Sequence, residues 1–169
     1  MTTKTKMNSK ETVILGVDPG YERVGIAVVK QLPKAKKATV VYSNCFITSK
    51  ALGLDDRIHL IGDEVTKVIK VYSPERLSIE KLYFTNNQKT AMGVAEARGV
   101  IINQAKQEGL AIDEFTPPQI KLAITGYGKA DKKAVWHMTK ALAEINTEVK
   151  YDDEMDAIAI ALTSLAIKG

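Results

Sequence analysis

The segment TVILGV, residues 12–17, constrains the fold of this chain more than any other feature. Its residues are β-branched or apolar almost without interruption. A half-exposed strand would alternate with polar residues, so a continuous run of this length marks a strand buried on both faces, in the middle of a sheet covered above and below. The run stops at Asp18-Pro19-Gly20, which is turn chemistry, and RVGIAVV at 23–29 is strand-like again. The first two strands are therefore expected to form a hairpin.

A third strand fits residues 39–47. Beyond it, Ile58, Ile61, Val65, Val68, Ile69 and Tyr72 recur at spacings of three and four, the signature of an amphipathic helix over 55–72, with Asp55 or Asp56 placed to cap its start. After Pro74, RLSIE at 76–80 reads as a short strand ending in an acid. Asn86 or Asn87 then opens a long helical segment that stops near Gly109. A last strand at 110–115, a short helix from Pro117-Pro118 through 124, a Gly126-Tyr127-Gly128 loop and helices at 130–145 and 154–166 complete the chain. The order β-β-β-α-β-α-β-α-α places antiparallel strands first and parallel crossovers later. It predicts the α/β class: a five-stranded mixed sheet with helices on both faces.

The 169 residues suit one domain, expected as a flexible segment 1–11 followed by a folded unit 12–169. A net charge of +4 suits a polyanionic partner but is shared by many proteins without one. The single cysteine, Cys45, has no disulfide partner within the chain and reads as a small buried hydrophobe in a strand. Charged residues interrupt every apolar stretch well before the roughly 18 residues that span a bilayer, so a soluble, cytoplasmic protein is expected.

Most acids are solvated surface charges. Asp18 and Glu80 differ, because each ends an apolar strand, and ligands of α/β sheets bind at the carboxyl ends of strands. Asp153 and Asp156 are spaced i, i+3 at the start of the last helix and so project from one face. Helix capping and the macrodipole also account for acids there. Oxygen ligands from two strand ends and one helix suit Mg²⁺ or Mn²⁺, whereas zinc would call for His and Cys. His59 and His137 have no partner at ligand spacing.

Four segments, ILGVDPGYERVGIAVV, SIEKLYFTNNQKTAMGVAEARGV, PPQIKLAITGYGKADKKAV and DDEMDAIAIAL, resemble in order and spacing the successive motifs of RuvC-type Holliday-junction resolvases. That resemblance spans nearly the whole chain and implies a ribonuclease H-like fold. It implies an endonuclease of recombination and repair that cuts four-way DNA junctions by paired nicks, leaving 5′-phosphate and 3′-hydroxyl ends. The same resemblance places two Mg²⁺ ions per site, with Mn²⁺ able to substitute, on Asp18, Glu80, Asp153 and Asp156. It sets Lys121 and Lys132 near the scissile phosphate, with Lys133 as the adjacent alternative to Lys132. Lys89 and Arg98 would meet phosphates further along, and Tyr83 would stack on opened bases near the junction centre. Glu154 and Met155 depart from the small residues expected between the last two aspartates, and Asp152 adds a further acid beside Asp153 that competes for the place of third ligand. A homodimer and a branch-migration helicase complex are the implied protein partners. Part of the dimer contact could come from Ala91, Val94, Ala95 and 100–102, which could equally pack on the sheet.

Three other readings compete. The Asp-x-Gly turn also occurs in actin-like ATPases and sugar kinases, but those need a second related domain. A nuclease acting on forks or flaps would use the same metal site. A junction-binding protein without turnover would be expected to lack one of the four acids.

Overall fold

The computed structural model describes residues 10–82 and 88–168, without the side chains of residues 88, 89 and 168. Strands β1 (Thr12–Asp18), β2 (Arg23–Gln31) and β3 (Ala38–Ile47) form an antiparallel meander. Helix α1 (Leu54–Tyr72) returns the chain to β4 (Arg76–Glu80), parallel to β1, and α2 (Gln88–Gln107) leads to β5 (Ala111–Phe115), parallel to β4. The chain continues through α3 (Pro117–Thr125), α4 (Lys132–Leu142), β6 (Ala143–Ile145) and α5 (Asp152–Lys168). The strands lie in the order β5-β4-β1-β2-β3-β6, a mixed sheet of six.

The sixth strand corrects the expectation of five. The apolar period predicts helix through residue 145, yet α4 stops at Leu142 and the next three residues pair in parallel with the start of β3, Ala38 opposite Ala143 and Val40 opposite Ile145. Three residues are too few to display a period of two, and the partner that makes them a strand lies far upstream. A second correction concerns α1, whose N-cap is Gly53, with Asp55 and Asp56 inside the first turn. There they favour the helix through its macrodipole and not through a capping bond.

The continuous apolar run of β1 is explained by what covers it. Leu15 and Val17 face α1 and α2, in a core shared with Val24, Ile26, Ile61, Val65 and Ile101. Ile14 faces the opposite way, into a core with Ala27, Val29, Ile120, Val135, Ile158 and Leu162 from β2, α3, α4 and α5. Side chains alternate along a strand, so Asp18 continues the α5 side set by Ile14 and Gly16. Ser78 of β4 donates to the carbonyl of Ile160 at 2.6 Å, which places β4's even-numbered residues, and hence Glu80, on that side too. Buried Asp113 of β5 accepts from Arg76 at 2.7 and 2.8 Å and from Ser164 of α5 at 2.6 Å, tying the helix to the sheet edge.

Helix α5 lies unusually near the strands because glycines face it. A Cβ at Gly16 would stand 2.7 Å from Ala161 Cβ, and one at Gly25 would overlap the backbone carbonyl of Asp153. Gly25→Ala is therefore expected to cost about 1–3 kcal/mol, the scale of overpacking in a filled core. Urea unfolding checks this, and a wild-type midpoint would mean that the helix has room to spare.

Candidate active site

β1 and β4 run parallel with Val17 opposite Ile79, so the next residues, Asp18 and Glu80, leave the sheet side by side. Their turns are held from behind. Thr48 donates to the carbonyl of Tyr21 at 2.6 Å and accepts from buried Arg57 at 2.8 Å, which braces the loop after Asp18. Arg98 Nε donates to the backbone carbonyl of Glu80 at 2.9 Å while its other nitrogen pairs with Glu114. In this structure the Arg98 guanidinium, expected from the sequence to meet phosphate, bonds the backbone of Glu80 and the carboxylate of Glu114.

A cleft of about 340 Å³ opens over these two strand ends, lined by Asp18, Glu80, Lys121, Lys132 and Asp156 together with apolar residues of α3, α4 and α5. Lys121 reaches it from α3, whose start is fixed by a capping box between Thr116 and Gln119. Lys132 opens α4, just after the N-cap Asp131. Its ammonium lies 3.2 Å from Asp152 Oδ2 and 3.3 Å from Asp156 Oδ2. Lys133 is exposed and is not among the residues lining the cleft. The side chain of Lys89 and all of Tyr83 lie outside the described residues. His59 sits on α1, 3.5 Å from Asp63, and His137 on the exposed side of α4, both away from the cleft.

Asp153 and Asp156 share a helix but have different partners. Asp156 lines the cleft, whereas Asp153 is ion-paired with Arg23 at the start of β2, with Cys45 Sγ 3.7 Å away, and does not line it. The Arg23 guanidinium also lies 4.9 Å from the centre of the Tyr151 ring. Among the described residues no three acids, histidines or cysteines are gathered tightly enough to form a metal-ligand group. The structure thus brings three of the four expected carboxylates to one cleft and holds the fourth at its flank.

The charge on Asp18 is poorly tolerated. Burial, then the charges of Asp156, Glu80 and Asp153, push its pKa up to about 8, with Lys132 opposing. Glu80 is raised by burial and then by Asp156, with Lys121 opposing. Mutually repelling buried carboxylates are what a divalent cation would relieve, and an all-oxygen donor set fits Mg²⁺ or Mn²⁺.

Three features of the neighbourhood escape the sequence reading. Glu154 is buried, accepting from Ser43 at 2.8 Å and from the backbone amides of Lys150 and Tyr151 at 3.1 and 3.2 Å, so it anchors the loop that launches α5. Arg23 carries no signal beyond opening a strand. Trp136 donates to Asp156 Oδ1 at 3.1 Å, and its i+4 spacing from Lys132 is the one clue that both face the same site.

Acids at the ends of adjacent parallel strands and on a helix laid across them, over a mixed sheet begun by an antiparallel meander, define a ribonuclease H-like nuclease. The profile of the family described as crossover junction endodeoxyribonuclease RuvC matches residues 14–164. The chain belongs to that family. The protein of that name from Halothermothrix orenii is 41% identical over 150 residues, 89% of this chain and 90% of the relative. The one from Fusobacterium nucleatum is 38% identical over 152 residues, 90% of this chain and 79% of the relative. Among solved structures, Thermus thermophilus RuvC in complex with Holliday junction substrate superposes with a TM-score of 0.86 at 28% identity, covering 93% of this chain and 94% of that one.

Proposed function

We propose that this chain resolves four-way DNA junctions by paired, metal-dependent nicks that leave 5′-phosphate and 3′-hydroxyl ends. The observation that carries this reading is the convergence of Asp18, Glu80 and Asp156 with Lys121 and Lys132 in one cleft. The match to a RuvC bound to a Holliday junction supports the substrate.

Asp18, Glu80, Asp153 and Asp156 form the ligand set. These residues would hold divalent ions, two Mg²⁺ or Mn²⁺ per site, which would supply Lewis acidity toward a water and a phosphoryl oxygen. Asp18 and Glu80 are held rigidly by the strands they end, and they carry the negative charge that retains the cations. Asp153, ion-paired with Arg23 at the flank of the cleft, would complete the set. Lys121 and Lys132 face the same space and offset charge that builds on the phosphate. Apolar Pro117, Ile120 and Val135 on the cleft wall limit water around the reacting group. Cutting both strands of a symmetric junction calls for two such sites related by a two-fold axis, and hence for a homodimer. No helix among the described residues is long and apolar enough to cross a membrane.

The decisive assay compares a labelled four-way junction with a fork and a duplex of equal length, in Mg²⁺ or EDTA. Paired Mg²⁺-dependent nicks on the junction establish resolution. Equal cutting of forks would make this a general branched-DNA nuclease, and tight binding without nicks would make it a junction-binding protein. Lys121→Ala is expected to slow cleavage by about 10²-fold, the usual loss when one donor to a developing anion is removed. A wild-type single-turnover rate would return Lys121 to the status of surface charge.

A further inference from the structure

Trp136 is a residue whose type neither charge chemistry nor helix formation requires at its place in α4. Its ring packs against the core formed by α3, α4, α5 and the sheet, and its indole N–H is aimed out of that core at Asp156. We propose that Trp136 is a positioning residue for the metal site: it holds Asp156 by one oxygen so that the other is presented to a divalent cation. The proposal rests on the reading of Asp156 as a metal ligand.

The two oxygens of Asp156 have different partners. Oδ1 accepts from Trp136 Nε1 at 3.1 Å, and Oδ2 lies 3.3 Å from Lys132 Nζ. These partners are not equivalent. The lysine is on a flexible stem and has a second acid to turn to, since its ammonium is also 3.2 Å from Asp152 Oδ2. It can leave Oδ2 when a cation arrives. The indole is anchored by packing and stays.

Charge gives the tryptophan its advantage over a basic residue. An Arg or Lys at position 136 would orient the carboxylate equally well, but its positive charge would repel the incoming cation and weaken the site. An indole N–H is neutral at every working pH and donates only, so it fixes the carboxylate plane without cancelling its charge. Outer partners of this kind orient metal ligands, and their loss typically lowers metal affinity or activity about 10–100-fold. The same ring lies 5.1 Å from Lys132 Nζ, so it also limits where that ammonium can go.

Trp136 is the one tryptophan in the sequence, so intrinsic fluorescence of the whole protein reports on the surroundings of this indole. Titrating Mn²⁺ into the metal-free wild type should change the emission with the same midpoint as Mn²⁺ binding measured by calorimetry. Trp136→Phe keeps most of the ring volume and removes the donor, and it should weaken Mn²⁺ binding about tenfold. Trp136→Gln restores an N–H at similar reach and should recover affinity to within about threefold of wild type. Asp156→Asn serves as the control for the metal site. Unchanged Mn²⁺ affinity in Trp136→Phe overturns the positioning role, as does a Gln variant no better than Phe, which would assign the ring to packing alone. If Asp156→Asn binds Mn²⁺ as tightly as wild type, the metal-site reading itself fails and the proposal falls with it. A loss in Asp156→Asn and in Trp136→Phe, with recovery in Trp136→Gln, supports it.

Discussion

Asp18→Asn is expected to bind a four-way junction with near wild-type affinity and to cut it at least about a thousandfold more slowly, and Glu80→Gln should behave alike. Each substitution keeps the side-chain shape and removes one charge from the pair of strand ends at the floor of the cleft. A catalytic cation contributes several kcal/mol of transition-state stabilisation. Losing about 4 kcal/mol of it corresponds to roughly three decades in rate. Binding should survive because affinity for DNA comes mainly from cationic contacts to phosphates, which these variants leave in place. The check is a single-turnover cleavage time course beside a gel-shift titration, in the same Mg²⁺ buffer for the first and Ca²⁺ for the second. Cleavage within tenfold of wild type in either variant would remove these acids from the mechanism.

In EDTA the protein should lose stability as pH rises from about 4 to 8, and Mg²⁺ should restore it most strongly at the upper end. Asp18 has its folded pKa raised to about 8 from 3.8, and Glu80 is shifted the same way. Between those values the folded state binds more protons than the unfolded one, so unfolding free energy falls with pH, by at most roughly 1.4 kcal/mol per unit for each such group. The stabilisation is thus complete below the unfolded value and is lost on the way up to the folded one. A cation that binds only the folded, ionised cluster reverses this loss, contributing about 2.7 kcal/mol at a hundred times its Kd. Asp18→Asn should flatten the pH dependence in EDTA and melt higher than wild type at pH 8. Thermal melts at pH 5 and pH 8, with and without Mg²⁺, read all of this. A melting temperature in EDTA that climbs with pH, together with a Mg²⁺ shift no larger at pH 8 than at pH 5, would contradict the electrostatic account of the site.

Both expectations depend on how two distant parts of the chain meet, and the meeting is made by small residues. Gly16 and Gly25 face α5, and Ala157 and Ala161 face back, so the helix axis lies close enough for an aspartate of its first turns to share a cleft with the ends of β1 and β4. In the sequence these positions read as ordinary interruptions of apolar strands. Their purpose shows only when the helix is in place.

Much of the architecture was legible in advance because it follows from local periodicity. The buried run at 12–17, the amphipathic helix ending at Tyr72, the strand that stops at Glu80 and the crossover order after it all correspond to observed elements within a few residues. The two strand-end acids could be singled out for the same reason: a charge that terminates a buried strand leaves the sheet at a known edge, and alternation decides its face. The six-stranded count could not be read, since β6 is a strand only by virtue of pairing with Ala38–Val40. Spacing places Asp153 and Asp156 on one side of a helix. It does not reveal that Arg23 holds the first while Trp136 and Lys132 hold the second.

The sequence by itself determined the class of fold, the order of its elements other than β6, and the family, because hydrophobic period, strand termini and ordered motifs are all properties of neighbours along the chain. Tertiary structure alone decided which acids share a cleft, how strongly they repel, and which side chains brace them. Those are properties of distance and burial, set by contacts such as Arg23 with Asp153 and Ser43 with Glu154 that join residues more than a hundred positions apart.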